Sequence, residues 1–214
     1  MKKLILASQS PRRKELLANL GVSFEVIPSR EEEAGVLASD PGQLVEALAR
    51  RKAEAVASAL PADQELLVIG ADTIVILDGT ILGKPKNVGQ AAVMLQGLSG
   101  RWHQVLTGVA VSDPESGCTL TAHEVTEVKF RSLTAEEIAA YVATGEPLDK
   151  AGAYGIQDKG ALLVERIQGC YFNVVGLPLV KLAGLLARCG VDLLKKERES
   201  GHEVPPNVKG ATPG

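Results

Sequence analysis

The sequence is poor in the features on which nucleic-acid-binding proteins depend. Aromatic residues make up only 3% of the 214 residues, the net charge is −3 and the isoelectric point is near 5.7. Proteins that bind nucleic acids usually present a basic stripe or a row of aromatic side chains on which bases stack. The composition therefore argues against a nucleic-acid partner and favours a small molecule.

Cysteine and histidine are also scarce, with three of each. The cysteines are odd in number and widely spaced, so they indicate neither a disulfide framework nor a zinc knuckle. The histidines are equally scattered, which argues against a histidine metal site or a Cys–His nucleophile. The residues concerned are Cys118, Cys170, Cys189, His103, His123 and His202.

No apolar run approaches the length of a membrane span, which is about 20 residues. The start of the chain imitates a secretory signal, because Lys2 and Lys3 precede an apolar segment. That segment ends at Ala7, however, and is shorter than the roughly 7 to 15 apolar residues of a signal peptide. We therefore expect a cytoplasmic protein with no membrane partner.

Helical and strand patterns alternate along most of the chain, without an internal repeat, and predict an α/β fold. With 45% hydrophobic residues, the chain can bury a full core. A hairpin signal at Asp78-Gly79 and a one-sided strand pattern over residues 119–130 add antiparallel pairing to the sheet. We expect one domain over residues 1–194 and a disordered tail over residues 195–214, where charges, prolines and glycines concentrate.

The segment after the first predicted strand has the features of a phosphate site. It reads Ser-Gln-Ser-Pro-Arg-Arg over residues 8–13, in which Ser10 is a suitable N-cap and Pro11 fits the first helical position. Arg12 and Arg13 then lie in the first turn, where the helix dipole disfavours cations. Two arginines beside free backbone amides predict a polyphosphate or another multiply charged oxyanion as ligand. The alternative is a solvated helix start with incidental arginines.

A carboxylate interrupts the most apolar segment of the chain. Residues 66–77 predict a strand buried on both faces, with Gly70-Ala71-Asp72-Thr73 in its middle. A buried carboxylate usually pairs with a cation, binds a metal or changes its protonation. Asp72 is therefore a candidate site residue, although a turn cap or a buried arginine partner would also explain it. The predicted hairpin that follows would bring Lys84 back towards Asp72.

Two further segments could contribute to a site. A helix predicted over residues 41–60 carries Arg50, Arg51 and Lys52 in its middle. At 100° per residue these cations cannot all point the same way, so one could face a cleft, but the sequence alone favours a solvated helix face. Residues 145–157 form a long segment that mixes glycines with charged residues, which is typical of a functional loop. The alternative is that Asp149 and Lys150 simply pair with each other and that Gln157 satisfies backbone groups.

The sequence contains, in this order, the segments SQSPRRKELL (8–17), GADTIV (70–75), LGKP (82–85), GEPLDKAGAYGIQ (145–157) and NVVGLP (173–178). Together they resemble the Maf family, and the resemblance covers residues 3–190. It implies a nucleoside triphosphate pyrophosphatase that cuts between the α and β phosphates and uses a divalent cation, Mg²⁺ or Mn²⁺. It also implies a two-lobed α/β fold with an elongated mixed sheet and a central cleft, related to that of inosine triphosphate pyrophosphatases, and a homodimer.

Matched position by position, the resemblance makes Asp72 the proton acceptor that activates water. Arg12, Thr73 and Gln157 match positions tied to base selectivity, and the trio resembles the dTTP/UTP branch. Together with the charge pattern, this gives the following candidates: catalytic Asp72, Lys84 and Glu33; substrate-binding Ser8, Ser10, Arg12, Arg13, Lys52, Thr73 and Gln157; and metal-binding Asp72 and Glu33.

Two other functions stay open on sequence grounds. The first is a nucleotide-binding regulator of septum formation, in which hydrolysis is incidental; an intact Asp72 and Lys84 favour an enzyme instead. The second is a pyrophosphatase of another specificity, such as 7-methyl-GTP or ITP, against which Thr73 and Gln157 argue by resemblance. Residues 170–172, Cys-Tyr-Phe, depart from the family pattern, which has a small polar residue before the asparagine.

Overall fold

The computed structural model of the protein describes residues 2–31, 40–61 and 65–195. Glu33 and the expected tail beyond Lys195 lie outside the described residues. Within them the strands are β1 (Lys3–Leu6), β2 (Phe24–Val26), β3 (Leu66–Leu77), β4 (Thr80–Leu82), β5 (Trp102–Asp113), β6 (Cys118–Phe130) and β7 (Val164–Gln168). The helices are α1 (Pro11–Ala18), α2 (Pro41–Ala57), α3 (Val88–Leu98), α4 (Ala135–Ala143), α5 (Tyr171–Val175) and α6 (Leu179–Arg188).

The strands form one seven-stranded mixed sheet in the order β2-β1-β3-β5-β6-β7, with β4 beside β3. β1 pairs in parallel with β2 and β3, and the remaining pairs are antiparallel. Helices cover both faces, which is the usual solution for strands that are apolar on both sides. The predicted α/β class with an antiparallel component is confirmed.

One edge of β3 is open in its middle. Residues 66–69 of β3 pair with β1, and residues 75–77 pair with β4. Between them, residues 70–74 have no strand neighbour on that side in the described part of the chain. Because successive side chains of a strand point to opposite faces, this opening is reached from both faces of the sheet.

Helix α2 packs with its backbone directly on the sheet, and two glycines make this possible. A Cβ atom at Gly70 on β3 would lie 2.2 Å from the carbonyl oxygen of Ala49, and one at Gly108 on β5 would lie 2.1 Å from that of Val45. No side chain fits at such distances. The glycines therefore set the height of α2 above the sheet, and with it the position of Lys52.

The opposite face of the sheet carries two apolar cores. Helices α1, α5 and α6 contribute to the first, which contains Ile69 of β3 together with Leu177 and Leu182. Helices α3 and α4 contribute to the second, which contains Leu95 and Phe130. These cores hold the first strands and the long hairpin of β5 and β6 against the helices.

Most local predictions are confirmed. Ser10 caps α1, as predicted, and Thr134 with Glu137 forms a capping box at α4. Strand β7 begins at Val164, because residues 158–163 form a 3-10 helix. The short helix α5 was not predicted, since five residues are too few to show a helical period. No helix in the described ranges is long and apolar enough to cross a membrane.

Candidate active site

A cleft of about 780 Å³ lies at the open stretch of β3. Its walls come from the β1–α1 loop, α2, β3, the end of β4, the loop before β7 and α5. The cleft brings together nearly all the candidate residues of the sequence, while Glu33 falls outside the described ranges. Those that line it are Ser8, Ser10, Arg12, Arg13, Lys52, Asp72, Thr73, Lys84 and Gln157.

Asp72 and Lys52 form an ion pair on the α2 side of the opening. The Lys52 ammonium contacts the Asp72 carboxylate oxygen Oδ1, and the two side chains are only 15% and 5% exposed. The pair explains how a carboxylate is tolerated inside an apolar strand. Of the two interpretations of the α2 cations, the one in which a cation faces a cleft is therefore correct for Lys52.

The start of α1 forms a second wall and has the geometry of an anion site. Ser8 Oγ accepts a hydrogen bond from the Ser10 amide at 3.2 Å, and Ser10 Oγ accepts one from the Arg13 amide at 3.4 Å. In the part of the chain that the structure describes, the amides of Gln9 and Arg12 donate no hydrogen bond. These amides and the positive end of the helix are available to an oxyanion.

The two arginines of α1 have different surroundings. The Arg13 guanidinium donates to the carbonyl oxygens of Gly176 at 2.7 Å and Ala71 at 2.8 Å. It also donates to Thr73 Oγ1 at 3.0 Å and to Ser8 Oγ at 3.3 Å. Arg13 thus joins α1, β3 and the end of α5, so much of its hydrogen-bonding capacity serves the walls of the cleft.

Arg12 reaches across the cleft to the loop before β7. Its Nη1 lies 3.2 Å from Asp149 Oδ2, and Lys150 Nζ lies 2.8 Å from Asp149 Oδ1. Burial on its own would raise the pKa of Asp149, but the hydrogen bond and charge of Lys150, with those of Arg12, lower it. Asp149 therefore stays ionised and keeps two cations at the mouth of the cleft.

Lys84 lies two residues after the end of β4 and lines the same cleft. Its side chain is exposed, and it makes no hydrogen bond or ion pair with residues 2–31, 40–61 or 65–195. A lysine in this state is a movable cation, which suits a flexible anionic ligand.

On the face opposite Asp72, several apolar side chains line the cleft beside polar ones. Thr73 points to this side, because it follows Asp72 in the strand, and the lining there includes Val105, Val174 and Tyr154. Gln157 lies on the same loop as Tyr154 and is partly exposed. An apolar pocket with a few polar groups is typical of a site for a ring that carries hydrogen-bonding groups.

Sequence reasoning missed some residues that shape the cleft. Thr107 on β5 and Asn173 on α5 are fully buried polar residues, and both lie behind Thr73. The sequence signals were a threonine in an otherwise apolar strand and the position of Asn173 at the start of the NVVGLP segment. Glu31 also lines the cleft and pairs with Arg51 at 3.2 Å.

The profile of the Maf-like protein family matches residues 3–189. The chain is 57% identical over 193 residues to the dTTP/UTP pyrophosphatase of Moorella thermoacetica, covering 90% of this chain and 98% of that protein. It is 56% identical over 182 residues to the dTTP/UTP pyrophosphatase of Bacillus cytotoxicus, covering 85% and 93%. Among solved structures it is similar to the Staphylococcus aureus Ham1 protein, with 20% identity, a TM-score of 0.44 and coverage of 60% and 72%.

Proposed function

The chain belongs to the Maf-like protein family, and from this premise we propose that it hydrolyses dTTP and UTP between the α and β phosphates. The products are the nucleoside monophosphate and diphosphate, so the enzyme removes pyrimidine triphosphates or their modified forms from the nucleotide pool. The observation that carries the proposal is the buried Asp72–Lys52 pair in a cleft that also holds an anion-binding helix start. The names of its relatives support the same reaction.

The triphosphate would lie along the cationic part of the cleft. The free amides at the start of α1 and the Arg12 side chain supply donors, and Lys84 supplies a movable charge. Lys52 lies deeper, beside Asp72. Phosphoryl transfer depends mainly on positioning and on charge neutralisation, which these groups provide.

Asp72 would act as the general base. It accepts a proton from water while the water oxygen bonds to the α-phosphorus, the bond from that phosphorus to the bridging oxygen breaks, and diphosphate leaves. Lys52 stabilises the ionised carboxylate of Asp72 before the reaction and holds it in place. Arg13 would mainly hold the walls of the cleft together and would contribute less to phosphate binding, since its described contacts are with protein oxygens.

The cleft fits a divalent cation in its chemistry. Asp72 offers a hard carboxylate oxygen beside the expected phosphates, and Mg²⁺ is commonly held by one or two carboxylates together with substrate phosphates. No cluster of three or more potential ligands occurs in the described residues, and Glu33 lies outside them. We propose Asp72, with Glu33, as its protein ligands. When bound, Mg²⁺ or Mn²⁺ would neutralise charge on the phosphates.

The base would occupy the apolar side of the opening, next to Thr73 and Gln157. The gap in β3 lets one ligand contact both faces of the sheet, so the base can lie beside Thr73 while the phosphates reach Asp72 and Lys52 on the α2 side. A closed strand edge would prevent this. This division explains why adjacent residues of one strand, Asp72 and Thr73, could serve catalysis and selectivity respectively.

We also propose a cytoplasmic homodimer. The low cysteine content and the nucleotide substrate are consistent with that compartment. Two-fold symmetric dimers are the commonest oligomers of soluble proteins. Sedimentation equilibrium across a concentration series tests the dimer, and a single species at the monomer mass would contradict it.

The proposed reaction is tested by measuring diphosphate separately from orthophosphate. A panel of nucleoside triphosphates is incubated with Mg²⁺ or Mn²⁺, with wild type and Asp72→Asn in parallel. We expect diphosphate from dTTP and UTP with wild type, and a loss of at least about 100-fold in the variant. Reaction in ¹⁸O-water should place the label in the monophosphate.

Binding without turnover on any triphosphate would instead support the regulatory alternative. Turnover confined to 7-methyl-GTP or ITP would contradict the assigned specificity. Unchanged hydrolysis in Asp72→Asn, confirmed in a folded protein by thermal unfolding, would remove Asp72 as the base. Chelation with EDTA followed by restoration with each cation tests the need for a metal.

A further inference from the structure

A chain of hydrogen bonds runs from the cleft into the core through the hydroxyls of Thr73 and Thr107. The Arg13 guanidinium donates to Thr73 Oγ1 at 3.0 Å, and the two hydroxyl oxygens are 2.9 Å apart. Thr107 Oγ1 in turn lies 2.9 Å from the backbone carbonyl oxygen of Asn173. Thr107 and Asn173 are fully buried, whereas Thr73 is partly exposed and lines the cleft.

The chemistry of the two ends fixes the direction of this chain. A carbonyl oxygen can only accept a hydrogen bond, so Thr107 must donate its single hydroxyl hydrogen to the backbone carbonyl of Asn173. The Thr107 oxygen can then only accept a hydrogen bond from Thr73, so the hydroxyl hydrogen of Thr73 is donated to Thr107. Arg13 can only donate. Thr73 therefore has no hydrogen to offer the cleft and presents only its remaining lone pair.

The far end of the chain is held in place by further buried bonds. The Asn173 side-chain amide donates to the Val105 carbonyl at 2.9 Å and to Thr126 Oγ1 at 2.9 Å. The backbone carbonyl of Asn173 thus cannot turn away from Thr107 without breaking this set. If Thr73 turned its hydrogen towards the cleft, two oxygen lone pairs would face each other at 2.9 Å.

We propose that Thr107 is a positioning residue that makes Thr73 an obligate acceptor and so selects pyrimidines with a hydrogen on ring nitrogen N3. The proposal rests on the function proposed above, in which the base lies beside Thr73. Uracil and thymine carry an N3–H donor that matches the lone pair of Thr73. Cytosine carries a lone pair at N3, so two acceptors would face each other out of water.

The test compares kcat/KM for UTP and CTP in wild type, Thr107→Val and Thr107→Ser. Valine has the shape of threonine but cannot accept, so the Thr73 hydrogen becomes free to turn to the cleft and donate to cytosine N3. We expect the UTP/CTP ratio to fall about tenfold in Thr107→Val, the size of one hydrogen bond, and to be retained in Thr107→Ser. If Thr107 has a purely structural role, kcat/KM for UTP and for CTP will fall together in Thr107→Val. An unchanged UTP/CTP ratio would therefore overturn the proposal.

A second measurement uses wild type alone and does not depend on the folding of Thr107→Val. N3-methyl-UTP keeps the charge and the carbonyl groups of UTP but lacks the N3–H donor. We expect its kcat/KM to be at least about tenfold below that of UTP. Equal turnover of the two would show that N3–H is not recognised and would overturn the proposal while leaving the pyrophosphatase function intact. Absence of diphosphate release from both UTP and dTTP would instead overturn the proposed function, and this inference with it.

Discussion

Lys52 on α2 and Asp72 on β3 meet in an almost fully buried ion pair at the open stretch of the sheet. The pair connects β3, which carries the proposed base Asp72, to α2, which carries its ion-pair partner Lys52. Removing one partner of a buried pair leaves an uncompensated charge, which costs far more than the pair itself contributes. The site should therefore respond unequally to single and double substitutions.

We expect Lys52→Met to lower the free energy of unfolding by about 3 kcal/mol, because the Asp72 carboxylate loses its buried cation. Adding Asp72→Asn to that variant should restore most of the loss, since the neutral amide no longer needs a charge partner. Urea unfolding followed by circular dichroism measures both. Additive losses in the double variant would contradict the coupling of the two side chains.

Substitutions of the two adjacent arginines of α1 should have different effects, one on the stability of the fold and the other on substrate binding. Arg13→Lys removes a planar fork that contacts several protein oxygens, and we expect it to lower the free energy of unfolding by about 2 kcal/mol. Arg12→Lys should change stability by less than about 0.5 kcal/mol but raise KM for UTP, because Arg12 faces the open cleft. Chemical unfolding and steady-state kinetics provide the two readouts. The reverse pattern would assign phosphate binding mainly to Arg13.

Gly70→Ala should damage both the fold and the site. The new methyl group would lie 2.2 Å from the Ala49 carbonyl oxygen, so α2 must move and would carry Lys52 away from Asp72. We expect a loss of about 2 to 3 kcal/mol in unfolding free energy and a marked fall in kcat. Gly184→Ala is the matched control, because nothing lies within 4 Å of its Cβ in α6. That control should keep full activity and gain up to about 1 kcal/mol from helix propensity.

The buried His103 should make the protein less stable as the pH falls. Burial lowers the pKa of His103 from 6.5 to about 4. Between these values the unfolded chain binds a proton that the folded protein does not, so the unfolding free energy decreases on acidification by up to about 1.4 kcal/mol per pH unit. Urea unfolding at pH 7, 6 and 5 measures the slope.

His103→Gln removes this titration, so the stability difference between wild type and the variant should shrink as the pH falls. Tyr154→Phe is the control, because it removes the 2.8 Å hydrogen bond from the Tyr154 hydroxyl but keeps the imidazole. Its pH slope should resemble that of wild type. A slope that persists unchanged in His103→Gln would have to come from carboxylates instead.

The sequence by itself determined the local elements and the chemistry available to the site. Ser10 and Pro11 define where α1 begins, and the apolar pattern around Asp72 predicts a buried carboxylate, because capping and burial depend on near neighbours and residue type. The general alternation of strands and helices along the chain also followed from periodicity. These signals were sufficient for the α/β class and for most of the candidate residues.

Only the tertiary structure decided how those residues are used. Several cations were possible partners for Asp72, and the choice of Lys52 depends on the height of α2, which Gly70 and Gly108 set by backbone contact. The direction of the Thr73 hydroxyl depends on Thr107, which is distant in sequence. Such contacts join elements far apart along the chain, so no local pattern of one sequence records them.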